Sequence, residues 1–294
     1  MKNLIIVTGG AGFVGSNLIK HLISKTNNEI ISLDNYSSGS KKNHIKYKRV
    51  KYIKGDTENI EILIAKFSKK ISVLFHFGEF SRIHQSFTDI SKCIKTNISG
   101  TSKVFNFCLK NKIKIVYSAT SASLGNKGMD QNLSPYSFTK SKNLKLLINL
   151  YKWYGISYEV LYFYNVYGQG HIIRGSMATV IGIFEEQYRK NIALTVVKPG
   201  TQSRKFTHID DTVKGCFFAW KQNKNRHYSL SSNKSYTINE VAKIFSKKIK
   251  FIDKKLGERN QSAIANKIGN IKIYSLKCEK KLIDYIKDFK KDLN

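Results

Sequence analysis

A chain of 294 residues, 41% of them hydrophobic, is long enough to enclose one large core or two coupled ones, and no apolar run approaches the roughly 20 residues of a membrane-spanning helix. The formal charge of +31 invites a polyanion as partner, but only seven of the 51 basic residues are arginine and the lysines are spread along the whole chain. That argues against a nucleic-acid reader, which gathers Arg and Lys on one face, and leaves a mild attraction for small anions. Cys93, Cys108, Cys216 and Cys278 stand far apart with no CxxC pair. This is the pattern of reduced thiols in a cytoplasmic protein without a metal site, and the N-terminus enters an apolar strand with no signal-peptide pattern before it.

The predicted elements begin with a buried strand, Leu4–Thr8, and a helix over Ser16–Ser24, joined by Thr8-Gly9-Gly10-Ala11-Gly12-Phe13-Val14-Gly15. Glycines at 9, 12 and 15 permit, in turn, a tight turn, a close approach of backbone to a pyrophosphate, and close helix–strand packing; the helix N-terminus then offers its unpaired N–H groups to phosphate. A second strand, Glu29–Asp34, ends on a carboxylate 19 residues after Gly15. Asp34 there accepts hydrogen bonds from adenosine ribose hydroxyls and repels a 2′-phosphate, which favours NAD over NADP. Further strands are expected at Val50–Lys54, Val73–Phe77, Lys114–Ser118 and Glu159–Tyr164, with helices near Ile60–Phe67, Ile90–Leu109 and Ser137–Tyr154. Strands alternating with helices predict a parallel, doubly wound α/β sheet of Rossmann type. Beyond about Asn165 the pattern is irregular, with helices expected at Met177–Arg189 and Ile238–Phe245. The only prolines are Pro135 and Pro199, so no Pro-rich linker divides the chain.

Tyr136 and Lys140 form a Tyr-x-x-x-Lys pair at the start of a predicted helix, and positions i and i+4 share one helical face. An ammonium beside a phenol favours the phenolate and brings Tyr towards a working general base. The strand Lys114–Ser118 leads into Ala119-Thr120-Ser121-Ala122, and a hydroxyl at the carboxyl end of such a strand points into the ligand crevice. Either Thr120 or Ser121 is placed to bond a reacting hydroxyl and pass its proton to Tyr136.

Taken together, these motifs resemble the extended short-chain dehydrogenase/reductases, specifically the NAD-dependent epimerase/dehydratase group that includes UDP-glucose 4-epimerase. The resemblance spans nearly the whole chain: the glycine turn, Asp34-Asn35, Gly55-Asp56, His76-Phe77-Gly78, Asn97, Ser118–Ser121, Ser134-Pro135-Tyr136 with Lys140, Phe163–Gly168 and Arg204–Asp211 occur in the family's order. It implies a Rossmann domain over residues 1–164 plus about 205–222, and a smaller C-terminal nucleotide-sugar-binding α/β domain over 165–204 and 223–294. It implies NAD contacts from Gly9, Gly12, Phe13, Val14, Asp34, Asn35, Asp56, Thr57, Phe77, Gly78, Asn97, Ser118, Tyr136, Lys140 and Tyr164. Glu79, Ser81, Asn165, Arg204 and either Lys255 or Arg259 would meet a nucleotide-diphosphate sugar, with Arg204 on the diphosphate. His208 would be structural. The helices near 90–109 and 137–154 resemble those of the family's homodimer interface.

Three departures bear on the reaction. Thr120 is followed by Ser121-Ala122 where the family's dehydratases carry Asp-Glu, which disfavours 4,6-dehydration. The stretch from Gly125 to Ser134 is short and lacks the usual acidic, proline-containing loop. Glu79 replaces a small residue; an ion pair with Arg82 is the favoured reading, a second proton carrier the other. Ser262 falls where some relatives restrict the sugar pocket with a bulky side chain. The expectation is a 4-epimerase passing through a 4-keto sugar, with a net sugar-nucleotide dehydrogenase, a dehydratase and a non-catalytic NAD-binding protein as alternatives.

Overall fold

The computed structural model describes residues 3–124, 130–253, 256–257, 259–261 and 265–293. Strands β1 (Leu4–Thr8), β2 (Glu29–Asp34), β3 (Val50–Lys54), β4 (Ile71–His76), β5 (Lys114–Thr120) and β6 (Tyr158–Phe163) form the body of the main sheet. All five residues of β1 and all seven of β5 are buried, as continuous apolar runs require when helices cover both faces of a parallel sheet. The order across the sheet is β3-β2-β1-β4-β5-β6, followed by His227–Leu230 and Ile271–Ser275, all parallel. Lys267–Ile268 closes that edge as an antiparallel strand. The order reverses direction between β1 and β4, and the ends of these two strands open the crevice in which doubly wound sheets take ligands.

One face of the sheet packs Leu74, Ile115, Tyr117 and Tyr162 against Val104, Phe107, Leu144 and Leu147 of the helices Thr101–Lys110 and Pro135–Tyr154. The other packs Ile5, Val73, Val116 and Leu161 against Leu18, Ile19 and Leu22 of the helix Phe13–Lys25 and Val213, Cys216 and Ala219 of the helix Ile209–Gln222. A third apolar cluster, centred on Phe184, Phe206, Val241 and Phe245, is the core of the smaller lobe. That lobe holds the helices Val180–Arg189, Ile238–Phe245 and Leu282–Lys291 and the parallel pair Leu194–Val197 with Ile249–Ile252.

Several expectations shift. His227–Leu230 and Ile271–Ser275, assigned from sequence to the smaller lobe, pair into the main sheet. They are short runs of four and five residues in the irregular C-terminal third of the chain, where periodicity alone does not mark a sheet strand. The helix Ile209–Gln222 carries a buried apolar stripe and packs against the main sheet, beyond the helices expected from the sequence. The segment expected as a helix over Met177–Arg189 starts at Val180, because Thr179 caps it by accepting from the Gly182 N–H. The long helix expected at Ile90–Leu109 is present with a wide-turn stretch over Lys95–Gly100.

Two histidines are locked inside the sheet. His76 bonds Thr8 Oγ1 at 2.8 Å and Thr101 Oγ1 at 2.9 Å, and His227 bonds the Tyr162 hydroxyl at 2.9 Å. Burial holds both pKa values down at about 4, against 6.5 in the unfolded chain. The folded state therefore resists a proton that the unfolded chain accepts once the pH falls below 6.5. Stability should fall between pH 6.5 and 4 by about 1.4 kcal/mol per pH unit for each histidine. Denaturant unfolding at pH 7 and pH 4.5 should show a smaller loss in His227→Gln than in the wild type; equal losses would remove His227 from this account.

Candidate active site

A cavity of about 540 Å³ runs along the carboxyl edge of the sheet and joins both lobes. At one end lies the glycine turn. Gly9 has φ +72°, the left-handed region that glycine enters without cost, and its N–H donates to the Leu33 carbonyl at 2.8 Å. A Cβ on Gly15 would stand 2.2 Å from the Gly9 carbonyl oxygen, so only glycine lets the helix seat this close to the turn. A Cβ on Gly12 would meet only the Gly9 oxygen, at 3.2 Å, and Gly12 lines the cavity with Phe13 and Val14. Bare backbone at a helix N-terminus fits a pyrophosphate. Asp34 is fixed at the end of β2 by the Ala11 and Tyr36 N–H groups, at 2.9 and 2.8 Å. Burial raises its pKa and these two bonds oppose the rise. Each Asp34 oxygen retains acceptor capacity for a ribose hydroxyl. Asn35, Thr57, Phe77 and Gly78 continue the wall. These residues fit NAD.

Tyr136 and Lys140, the pair expected from the sequence, stand at the start of one helix on the cavity. Pro135 begins the helix Pro135–Tyr154 behind Ser134, whose hydroxyl accepts from the Ser137 N–H at 3.0 Å; Ser and Pro are favoured at those two positions. Tyr136 and Lys140 both line the cavity, with Ser118, Thr120 and Ser121 opposite. Thr120 acts on the Tyr136 phenol to lower its pKa, whereas Ser121 Oγ accepts from Arg259 Nη2 at 3.3 Å. Of the two hydroxyls, Thr120 is the one that influences the phenol.

The charges around the phenol differ from expectation. The Lys140 ammonium is buried and donates to the Glu79 carboxylate and the Ser118 carbonyl, lying 4.3 Å from the Tyr117 ring centroid. Burial raises the Tyr136 pKa, with Glu79 adding to the rise; Thr120 and the Arg259 and Arg82 charges work downward. The cations pulling Tyr136 towards its anion are therefore arginines, with Lys140 occupied elsewhere.

The expected ion pair between Glu79 and Arg82 does not form. Glu79 is 3% exposed and paired with Lys140. Its second oxygen accepts from Thr101 at 3.1 Å, Tyr117 at 3.2 Å and Asn143 at 3.1 Å. The sequence carried part of this: Asn143 stands three residues after Lys140 on the same helical face. Tyr117 and Thr101 come from elements that only the folded sheet unites. Arg82 instead donates from Nε and Nη2 to the Met177 carbonyl, at 2.9 and 2.6 Å, and from Nη1 to the Ser81 carbonyl at 3.2 Å.

Two residues expected on the cofactor lie behind the wall. Asn97 is fully buried, bonding both the N–H and the carbonyl of Phe80 and the Thr139 hydroxyl. Tyr164 is fully buried, its hydroxyl meeting Ser229 Oγ at 3.4 Å. Both shape the cavity through neighbours. Asp56 holds Asn35 at 2.7 Å from outside the lining. His208 caps the helix Ile209–Gln222, accepting from the Asp210 N–H at 3.2 Å, which is structural as expected. Ser81, downstream of β4, and Asn165, Arg204 and Arg259 also line the cavity; Asn165, at φ +33°, is held by its bond to the Lys205 carbonyl at 2.8 Å. Lys255 and Ser262 lie outside the described residues.

Among the described residues no helix is long and apolar enough to cross a membrane, and no His, Cys, Asp and Glu cluster could hold a metal ion. Residues 5–231 match the family model described as NAD dependent epimerase/dehydratase family. An ADP-L-glycero-D-manno-heptose-6-epimerase of Brachyspira hyodysenteriae is 30% identical over 82% of this chain and 79% of its own. A putative UDP-glucose 4-epimerase of Methanocaldococcus jannaschii is 29% identical over 84% and 83%. Among solved structures, the UDP-N-acetylglucosamine 4-epimerase of Methanobrevibacter ruminantium superposes with TM-score 0.85 at 25% identity, covering 100% of this chain and 98% of its own. The Thermotoga maritima UDP-glucose 4-epimerase with UDP-glucose superposes at 0.82 and 25% identity over 89% of each. With its glycine turn, its sheet order and its Tyr136–Lys140 pair set on one cavity, this chain belongs to the NAD-dependent epimerase/dehydratase family.

Proposed function

We propose that this enzyme is a 4-epimerase of nucleotide-diphosphate sugars. The observation that carries the reading is the Tyr136 phenol, one helical turn from Lys140, lining the same cavity as Thr120 and the glycine turn. Bound NAD would supply reversible hydride exchange at the sugar C4. Tyr136 takes the proton of the 4-hydroxyl and returns it, and Thr120 orients that hydroxyl. Lys140 fixes the nicotinamide ribose while Glu79 keeps the ammonium charged. Asn165 and Arg204 hold the diphosphate, the planar guanidinium matching its oxygens. The cavity would let the 4-keto sugar turn over and present its other face before Tyr136 returns the proton. Asp34 on the ribose hydroxyls retains the cofactor between the two half-reactions.

Dehydration is disfavoured: the residues after Thr120 are Ser121 and Ala122, and the Glu79 carboxylate is saturated by Lys140, Thr101, Tyr117 and Asn143. Net dehydrogenation uses the same residues and would be recognised by free NADH accumulating with substrate. A homodimer is part of the proposal, supported by Ile90, Ile94 and Phe138, which stand exposed on packed neighbouring helices. A cytoplasmic location is supported by four unpaired cysteines, three of them buried.

Two outcomes follow from the site. Tyr136→Phe should lower kcat for interconversion of a UDP-sugar 4-epimer pair by about 10²- to 10⁴-fold while leaving UDP affinity nearly unchanged; wild-type turnover in this variant would sink the mechanism. In Glu79→Gln, Lys140 loses its buried counter-charge, at a cost of about 3 kcal/mol in unfolding free energy. Because Glu79 helps hold the Tyr136 pKa up, the rise of kcat/KM with pH should move to lower pH in this variant. An unmoved profile would mean that Glu79 acts on stability alone.

A further inference from the structure

Beside Tyr136 the cavity carries a buried guanidinium, Arg82, that no carboxylate among the described residues pairs with. Arg82 lines the cavity, and burial pushes its pKa down. All its hydrogen bonds go to neutral backbone carbonyls, those of Met177 and Ser81. Among the described residues no carboxylate pairs with it, since Glu79 is turned to Lys140. The one ionisable group acting on it is the Tyr136 phenol. Removing a guanidinium from water without a counter-ion is costly, and such a position is suited to an anion that arrives with the ligand.

A second guanidinium lines the same cavity. Arg259 is 7% exposed, lines the same cavity, and donates to Ser121 Oγ at 3.3 Å. Both line the cavity that Tyr136 lines, and both act electrostatically on its phenol. Arg204, on the strand Ser203–Lys205, is the arginine assigned above to the diphosphate. A neutral hexose presents only hydroxyls, which donate as well as accept, to this donor-rich wall. A carboxylate accepts up to four hydrogen bonds and takes a guanidinium fork in bidentate fashion.

We propose that the sugar subsite is built for a sugar acid, so that the substrate is a nucleotide-activated uronic acid whose carboxylate is bound by Arg82 with Arg259 as second donor. This rests on the nucleotide-sugar reading above. The Nη groups of Arg82 retain unused N–H bonds, since three of the five donors are engaged. Bonding to Met177 fixes the guanidinium before the ligand arrives, so little side-chain entropy is lost on binding. Through the same contact Arg82 joins β4's downstream segment to the loop before the helix Val180–Arg189, so the two lobes meet at this subsite.

The test is calorimetric binding of UDP, UDP-glucose and UDP-glucuronate to the NAD-loaded protein. If neither sugar binds, GDP-mannose and GDP-mannuronate are tried. The proposal expects the acid to bind at least about tenfold more tightly than its neutral partner. Arg82→Met should bring that ratio close to one without changing UDP affinity, and Arg82→Lys, which keeps the charge but loses the fork, should fall between. A wild-type ratio near one, or one favouring the neutral sugar, overturns the sugar-acid subsite whatever the variants do, and leaves the epimerase reading standing if the neutral pair is interconverted. Binding of no nucleotide sugar at all fails the epimerase reading, and this inference with it.

Discussion

The ammonium of Lys140 is buried at the carboxyl edge of the sheet, and a buried ammonium requires a charge partner and a full set of hydrogen-bond acceptors. Glu79 and the Ser118 carbonyl supply them. Glu79 is held in turn by Thr101, Tyr117 and Asn143, Thr101 by His76, and His76 by Thr8 at the end of β1. The result is one continuous polar chain from the strand that enters the glycine turn to the helix that carries Tyr136. Each member satisfies its neighbour in a low-dielectric interior, where a fully paired network rigidifies and a broken one is costly. Cofactor turn and catalytic helix are thereby set in one frame, although 128 positions separate Thr8 from Tyr136.

That network also explains the electrostatic division of the cavity. Lys140 and Glu79 form a buried ion pair, while Arg82 and Arg259 line the cavity and act on the phenol as positive charge. The choice of partner follows from geometry. Glu79 leaves β4 at the point where Tyr117 of β5 and Asn143 of the catalytic helix converge, while the Arg82 side chain crosses to Met177 in the other lobe.

The fold class was legible because its determinants are local. Buried strands between helical segments, and glycines at positions where a Cβ would collide, as at Gly15, are properties of short stretches of chain. Tyr136, Lys140 and Thr120 were legible for the same reason: helical spacing and a strand end place them. The partners of Glu79 were not, because Thr101, Tyr117 and Asn143 lie on three elements whose meeting depends on sheet order. Asn97 and Tyr164 sit in segments that do approach the cavity, yet their side chains turn to Phe80 and Ser229 behind it. Sequence order places a residue near a site; only packing decides which way it faces.

The last long strand of the main sheet, Ile271–Ser275, pairs with His227–Leu230, which itself pairs with β6. Between β6 and these strands the chain leaves to build most of the smaller lobe and returns. The two lobes are thus interleaved in the order of synthesis: the large one is completed only after nearly all of the small one has been made. A growing chain holds β6 with an open ladder edge until those late residues arrive, a template for pairing with other chains. Neither lobe can be cut out as a contiguous fragment, and truncation before Ile271 would leave the main sheet, as well as the smaller lobe, unfinished.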